Sequence, residues 1–479
     1  MFTLAKQLIT EKDLFRKITI LENLLHHPQM TTKDLALQLQ VSQRTIFNDL
    51  QGVRLDLPPD WQLVADGNQG LTLNSQQGQG IQEIWELYLQ QTLAMTLLKG
   101  LLMQKRLGLT SFLMENGVSV AYLKRQVKKM NHVLAAFQLQ IRLNSDSIWW
   151  QGEESNIRIF YHRLLVPFTH HHFFFADYVV HESNYQNFLK KLQRQQLGVA
   201  TEEIFGTCWF FLNTIRIKAG CPIEGFAFDE DPLYQTYLEY LQEVYGKEGI
   251  SLQQEEAFFA YFCFLESWSY LLSPVVSQRL RDNYPHLFTA ATAFLQQLGV
   301  EEQLVTDPAL LEDLVLFQVK YYESKQLSDK FLREYAEVLA LCQERFSSLF
   351  DQIAQTLEAG GLAGVANVSQ HAVSNLVLLV QTAQATHNTT PLPCYFVYQG
   401  EPAWKQFLLT ELQDLAGRRV AISVVDSQQL AKQPFTPETI VLTNYPLDFQ
   451  CPARVVYLST IPTTNELAEF KKLLQHRYL

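Results

Sequence analysis

The stretch Val41-Ser42-Gln43-Arg44-Thr45-Ile46-Phe47-Asn48-Asp49-Leu50 decides the reading of the chain. Ser42 is placed to cap a helix, because a serine oxygen accepts from a free backbone N–H of the first turn. Ile46, Leu50 and Val53 recur at helical spacing and mark the buried side. Gln43, Arg44, Thr45 and Asn48 fall on the outer side, near the helix start. Side chains of these types, presented from the N-terminal half of a helix, reach base edges and phosphates in a major groove.

The flanking sequence completes a winged helix-turn-helix. Upstream, Asp13 is expected to N-cap a helix with Leu14, Ile18, Leu21 and Leu25 on its apolar face, ended by His26-His27-Pro28. Thr31 or Thr32 then starts a short helix. Asp34 lies in its first turn, where a carboxylate meets the positive end of the dipole. Leu35, Ala36 and Leu39 form its inner face and Val41 plugs the turn. Downstream, Pro58 and Pro59 close the helical part. Trp61–Ala65 and Leu71–Leu73 alternate around Asp66-Gly67-Asn68-Gln69-Gly70, where Gly and Asn permit positive φ. This hairpin is the expected wing, and Asn68 joins Ser42, Gln43, Arg44, Thr45 and Asn48 as an expected DNA contact. The bland alternative is a three-helix packing module that touches no nucleic acid.

The plan recurs. A helix is expected over Ile81–Arg106 and a short one over Thr110–Glu115, with Gly117 supplying the turn. Ser119 caps a long helix with Val120, Leu123, Val127, Met130 and Leu134 inside. Its outer rows are Lys124/Lys128 and Arg125/Lys129. Like charges at i,i+4 cost a helix about 0.2–0.5 kcal/mol per pair, a cost that a bound polyanion removes. No acidic residue lies between Glu115 and Asp146, whereas Lys124, Arg125, Lys128, Lys129 and Arg142 all do. Ser119, Tyr122, these four helical cations and Arg142 are the expected contacts of a second DNA-binding unit; the alternative is a solvated basic face. A second hairpin follows around Asn144-Ser145-Asp146.

The chain has 479 residues, enough for three or more domains. At 47% apolar and 18% charged it is globular in composition. The net charge of −11 is uneven: residues 1–165 hold 17 Lys+Arg against 14 Asp+Glu, so the acidity lies behind them. A mildly basic head on an acidic body suits local polyanion contact. The six cysteines form no C-x-x-C pair and read as isolated thiols of a reducing compartment. Met1–Asp13 has no signal-like apolar run, and Ala257–Leu272, the most apolar stretch, is too short to span a bilayer. A cytoplasmic protein without membrane contact is expected. No catalytic triad, paired-carboxylate, Walker or dinucleotide spacing is present, so no enzyme activity, cofactor or metal is expected.

With two such units followed by Gly152-Glu153-Glu154-Ser155-Asn156-Ile157-Arg158-Ile159-Phe160, the sequence resembles the Mga/AtxA-type virulence regulators of Gram-positive bacteria. The Gly-Glu…Ile-Arg-x-Phe segment is similar to the junction those proteins place between wing and body. The resemblance implies a transcription regulator of virulence and metabolic genes, with two phosphotransferase-system (PTS) regulation domains and a C-terminal domain like enzyme IIB.

The remaining sequence reads accordingly. Helices are expected at 202–217, 232–245, 252–272, 277–298, 307–323, 328–357 and 372–386, as two bundles. From about residue 391, strands at 394–398, 419–425, 439–443 and 455–459 alternate with helices, which argues a small parallel α/β sheet. The expected class is therefore multidomain and mainly α. Expected boundaries are 1–78 and 79–165 for the helix-turn-helix units, 166–284 and 285–390 for the bundles, and 391–479 for the tail. A homodimer is expected, matched to a two-fold DNA site. The resemblance also implies histidine phosphorylation by PTS phosphocarrier proteins. His181, His286 and His371 are the candidates, since no histidine lies between Glu182 and Pro285. The triplet His170-His171-His172 is not expected to chelate one metal, because consecutive side chains point apart. The loop after the first tail strand, Tyr398-Gln399-Gly400-Glu401-Pro402, lacks the cysteine that a true IIB phosphorylates. A PTS component, or an interaction scaffold without DNA binding, is the alternative function.

Overall fold

The computed structural model describes residues 3–26, 30–66, 70–75, 81–169, 175, 180–268, 274–333, 336–362, 365, 369–387, 391–417, 420–436, 439–447 and 449–475. Asn68 and His170-His171-His172 lie outside these residues. The protein is multidomain and mainly α, and it divides into two compact units, Met1–Val380 and Gln381–Leu479.

The first unit opens with α1 (Thr3–Leu8), α2 (Lys12–His26), α3 (Thr32–Gln38) and α4 (Gln43–Asp56), then the hairpin β1 (Trp61–Asp66) and β2 (Gly70–Ser75). Thr31 caps α3 in a reciprocal box with Asp34. Asp13 does not cap α2. The first helical bond runs from the Phe15 N–H to the Glu11 carbonyl at 3.0 Å, so Glu11 takes the cap and Asp13 sits in the first turn. Leu25 is 36% exposed, and Ile20 and Leu24 complete the buried face instead. The hairpin is antiparallel, and the Leu71 N–H donates to the Met30 carbonyl at 2.8 Å, which ties the wing to the α2–α3 connection.

A second round follows: α5 (Ile81–Leu89), α6 (Leu93–Met103), β3 (Arg106–Gly108), α7 (Leu109–Asn116), α8 (Val120–Leu134), β4 (Gln140–Leu143) and β5 (Ser147–Gln151). The single helix expected over Ile81–Arg106 is broken. Thr92 caps α6 through the Met95 N–H, and the Glu11 carboxylate accepts from the Leu93 N–H at 3.1 Å. That second cap comes from the first round and fastens the two together. The sequence reading also missed β3, which pairs with β5 to give an antiparallel sheet of order β3-β5-β4.

The body begins with α9 (Glu154–Leu165). Gly152 precedes it at φ 143°, and a Cβ there would lie 2.5 Å from the Leu139 side chain, so glycine is required at this bend. Helices Glu203–Lys218, Pro232–Lys247 and Gln254–Glu266 match expectation, whereas Glu182–Arg194 was not foreseen. The helix expected over 277–298 is two, Pro274–Asn283 and Pro285–Gln297, because a proline stops the first. Helix Pro308–Leu332 runs through the expected gap after residue 323 and kinks at Ser324 (φ −158°, ψ 96°).

The second unit holds β6 (Leu392–Val397), β7 (Val420–Val424), β8 (Ile440–Thr443) and β9 (Arg454–Tyr457), all parallel in the order β7-β6-β8-β9. Cys394, Phe396, Leu412, Leu442 and Phe470 fill one face, and Tyr395, Val397, Leu430 and Val441 the other. No described helix is long and apolar enough to cross a membrane.

Candidate nucleic-acid interface

Ser42 caps α4: its hydroxyl accepts from the Thr45 N–H at 3.2 Å and pairs with the Thr45 hydroxyl at 2.9 Å. Gln43, Arg44 and Asn48 are exposed and Thr45 is half-buried. Ile46, Leu50 and Val53 are buried, as their spacing requires. Two features were not read from the sequence. Asp49 is 6% exposed and takes a bidentate pair from Arg16 of α2, one arm at 2.8 Å. Lys17 reaches Asp56 at 2.8 Å. The acids of α4 are therefore neutralised within the chain. The second is Phe47, 55% exposed beside Asn48. An apolar ring so placed fits the methyl group of a thymine.

In the second round Ser119 caps α8 through the Tyr122 N–H at 3.2 Å, and Gly117 ends α7 in the left-handed region. Lys124, Arg125, Lys128 and Lys129 are all exposed, over a buried face of Leu123, Gln126, Val127, Met130 and Leu134. Val120, expected inside, is 39% exposed. The Arg125 guanidinium lies 5.8 Å from the ring centre of half-buried Tyr122. Lys129 donates to the Thr10 carbonyl at 3.4 Å, so it also serves the seam with the first round. Asn131 clamps α8 to the hairpin, donating to the Ile141 carbonyl at 3.0 Å and accepting from its N–H at 2.7 Å. Arg142 is exposed and bonds the Gln151 side chain.

The junction segment builds a buried charge cluster. Arg158, fully buried, makes a bidentate pair with Glu256 at 2.7 and 2.8 Å and reaches Asn213, the Cys221 carbonyl and Glu154. Arg216 pairs with Glu154 at 2.7 and 2.8 Å and donates to the Leu101 and Leu102 carbonyls, at 2.6 and 3.1 Å. Burial opposes both guanidinium charges, and Glu256 and Glu154 outweigh it, raising both pKa values. The cluster joins the end of α6 to α9 and to the helices carrying Arg216 and Glu256. Arg216 interrupts an apolar run between Ile215 and Ile217, which was the available signal, whereas Glu256 ends a polar stretch and gave none.

The candidate histidines are dispersed. His181 meets Glu248 at 3.3 Å. Burial opposes that carboxylate, but Asn184 and the His181 backbone hold its pKa below the usual range. His286 is exposed near the start of its helix. His371 is half-buried, and burial, then Arg333, lowers its pKa, leaving a neutral imidazole. In the second unit Cys394 is buried in β6 and its thiol is pushed up to about 12, so it is not a nucleophile at neutral pH. The helix after β6 (Pro402–Ala416) has its N-terminus filled by Glu401, which accepts from the Trp404 N–H at 2.8 Å. A carboxylate sits where a IIB cradle would hold phosphate.

A tandem helix-turn-helix with two capped, outward-facing recognition helices defines a DNA-binding regulator. The family model for the Mga helix-turn-helix domain matches residues 77–165, and that for a non-canonical single-stranded DNA-binding domain matches 283–386. The chain is 19% identical to an anthrax toxin expression trans-acting positive regulator of Bacillus anthracis, across 97% of this chain and 98% of the relative. It is also 19% identical to the capsule synthesis positive regulator AcpB of the same organism, across 97% and 99%. The chain is a DNA-binding transcriptional regulator, similar to these two positive regulators and carrying a match to the Mga helix-turn-helix domain.

Proposed function

We propose that this regulator binds duplex DNA through α4 and α8 together and controls virulence and metabolic genes as a cytoplasmic homodimer, without enzymatic activity. The observation that carries this is α8: four exposed cations on a helix free of acids, tied to the first round through Lys129 and Thr10. Arg44, Phe47 and Asn48 of α4 supply base readout, with Gln43 and the Ser42–Thr45 pair beside them. Ser119, Tyr122, Lys124, Arg125, Lys128 and Arg142 supply phosphate contact, and Asn68 belongs to the wing. Residues 283–386 hold five Lys+Arg against twelve Asp+Glu, so electrostatics assign DNA contact to the front of the chain rather than to this block. The two helical blocks, 166–284 and 285–390, act as regulation domains, with His181, His286 and His371 as acceptors from PTS phosphocarrier proteins. The block 391–479 is a regulatory IIB relative; with Glu401 at the helix N-terminus and no cysteine in the loop Tyr398–Pro402, it does not transfer phosphoryl groups. The test is a gel-shift salt titration on promoter duplexes. Affinity that falls steeply with salt is expected, and absence of binding at low ionic strength refutes the reading.

A further inference from the structure

The exposed face of the second wing carries a cross-strand row that α8 does not account for. Register places Arg106 of β3 and Arg142 of β4 directly opposite Trp149 of β5, one on each side. Directly opposed residues of an antiparallel pair point to the same face. The three therefore form a ladder, Arg106–Trp149–Arg142. Leu107, Ile148, Trp150 and Ile141 point the other way and are buried. The Arg106 guanidinium lies 5.5 Å from the Trp149 ring centre, and Arg142 is oriented by Gln151. Both arginines are exposed, and Trp149 is half-buried. The neighbouring positions on this face are Gln140, Gln151, Ser147 and Gly108, so no carboxylate of these strands neutralises it. The nearest acid in sequence is Asp146 at the hairpin tip, which makes the tip itself a poor phosphate contact.

We propose that this sheet face, rather than the wing tip, is a second phosphate-backbone clamp, holding the duplex that flanks the segment met by α8. It rests on the duplex-binding reading above and deepens it, adding Arg106 and the sheet face around Trp149 to the Arg142 contact named there. Three points support it. Each guanidinium is held by a neighbour, so little side-chain freedom is lost on contact. The arginine-bearing strands are two strand spacings apart, roughly 10 Å, which lets the heads meet different phosphates. Through Asn131 and Ile141, β4 is fastened to α8, so the strand that bears Arg142 is held to the helix that bears Lys128. The ladder reads no sequence, since phosphate contacts position a protein without specifying bases.

The test uses the full-length protein and two duplexes of one promoter: a short one ending at the footprint edge, and one extended by about one helical turn, roughly 10 bp, on each side. Wild type is expected to show a steeper salt dependence on the long duplex, by about 1.8 in slope for two more contacts. The variant Arg106→Gln is expected to lose about half that increment while keeping wild-type affinity for the short duplex, and adding Arg142→Gln, which also removes a contact already assigned, is expected to abolish the rest. The double Lys variant is expected to recover it. Identical slopes for wild type and the Gln variant on both duplexes overturn the clamp. Loss of transcriptional activation with unchanged slopes also overturns it, and assigns the face to an acidic protein partner instead. If wild type binds neither duplex, the underlying DNA-binding reading fails together with the clamp; if it binds both without a length effect, the clamp alone fails.

Discussion

The two recognition helices are built alike and charged differently. Each is capped by a serine whose hydroxyl accepts from a backbone N–H at 3.2 Å, and each follows a short helix and precedes a hairpin. Yet α4 carries two acids, Asp49 and Asp56, both turned back onto α2. It shows solvent one arginine near its start, with Phe47 and neutral amides. On α8 there are no acids, and four cations face outward. The scaffold is thus indifferent to its cargo. Capping and apolar spacing make the helix, while the outer residues carry the proposed division of work between base readout on α4 and phosphate attraction on α8.

Breaking that division at α8 has the largest expected effect. Replacing Lys124, Arg125, Lys128 and Lys129 with Ala removes up to four contacts and about 3.6 from the salt slope. Between 50 and 200 mM salt a slope of that size accounts for roughly a hundredfold fall in affinity. An unchanged slope in the gel shift acquits this helix. Next comes the fold of the first unit. Asp49→Ala strands Arg16 and is expected to cost about 2–3 kcal/mol, read as a lower thermal midpoint. A loss under ~0.5 kcal/mol means the pair is ornamental. Sharpening follows at α4. Arg44→Ala or Asn48→Ala should change promoter preference by about 1–3 kcal/mol per affected base pair, leaving the salt slope within about one contact of wild type. Unaltered footprints reject base readout there. The smallest effect belongs to Asn131→Ala, which frees the second wing from α8. It is expected to cost about 1–2 kcal/mol and to raise amide exchange at Ile141 before any change in binding.

Both helix-turn-helix units were legible in the sequence because capping residues and apolar spacing are local. Ser42, Ser119 and Gly117 all acted where their chemistry placed them, and of the two threonines left open it is Thr31 that caps, in a box with Asp34. The α/β tail was legible for the same reason. What escaped depends on distant partners. Strand β3 is three residues long and exists only because β5 lies beside it. The break before α6 has a local cap in Thr92 that the reading passed over, and a second in Glu11, 82 residues earlier. Asp49 reads as a surface acid until Arg16 is placed against it. Phe47 was quoted in the opening stretch but is shown as solvent-facing only once α2 and α3 have claimed the other side of α4. Of the cluster at the junction, Glu154 and Arg158 fell in a motif, whereas Arg216 and Glu256 lie 62 and 98 residues from their partners.

The cluster of Glu154, Arg158, Arg216 and Glu256 has a consequence for any attempt to dissect the protein. A chain cut after Leu165 would leave Arg158 without Glu256, Glu154 without Arg216, and the last carbonyls of α6 without their donor. The front of the molecule is therefore not a detachable reader on a string. It is spliced to the helices that follow like a blade to its handle, through the ion pairs of Glu154, Arg158, Arg216 and Glu256.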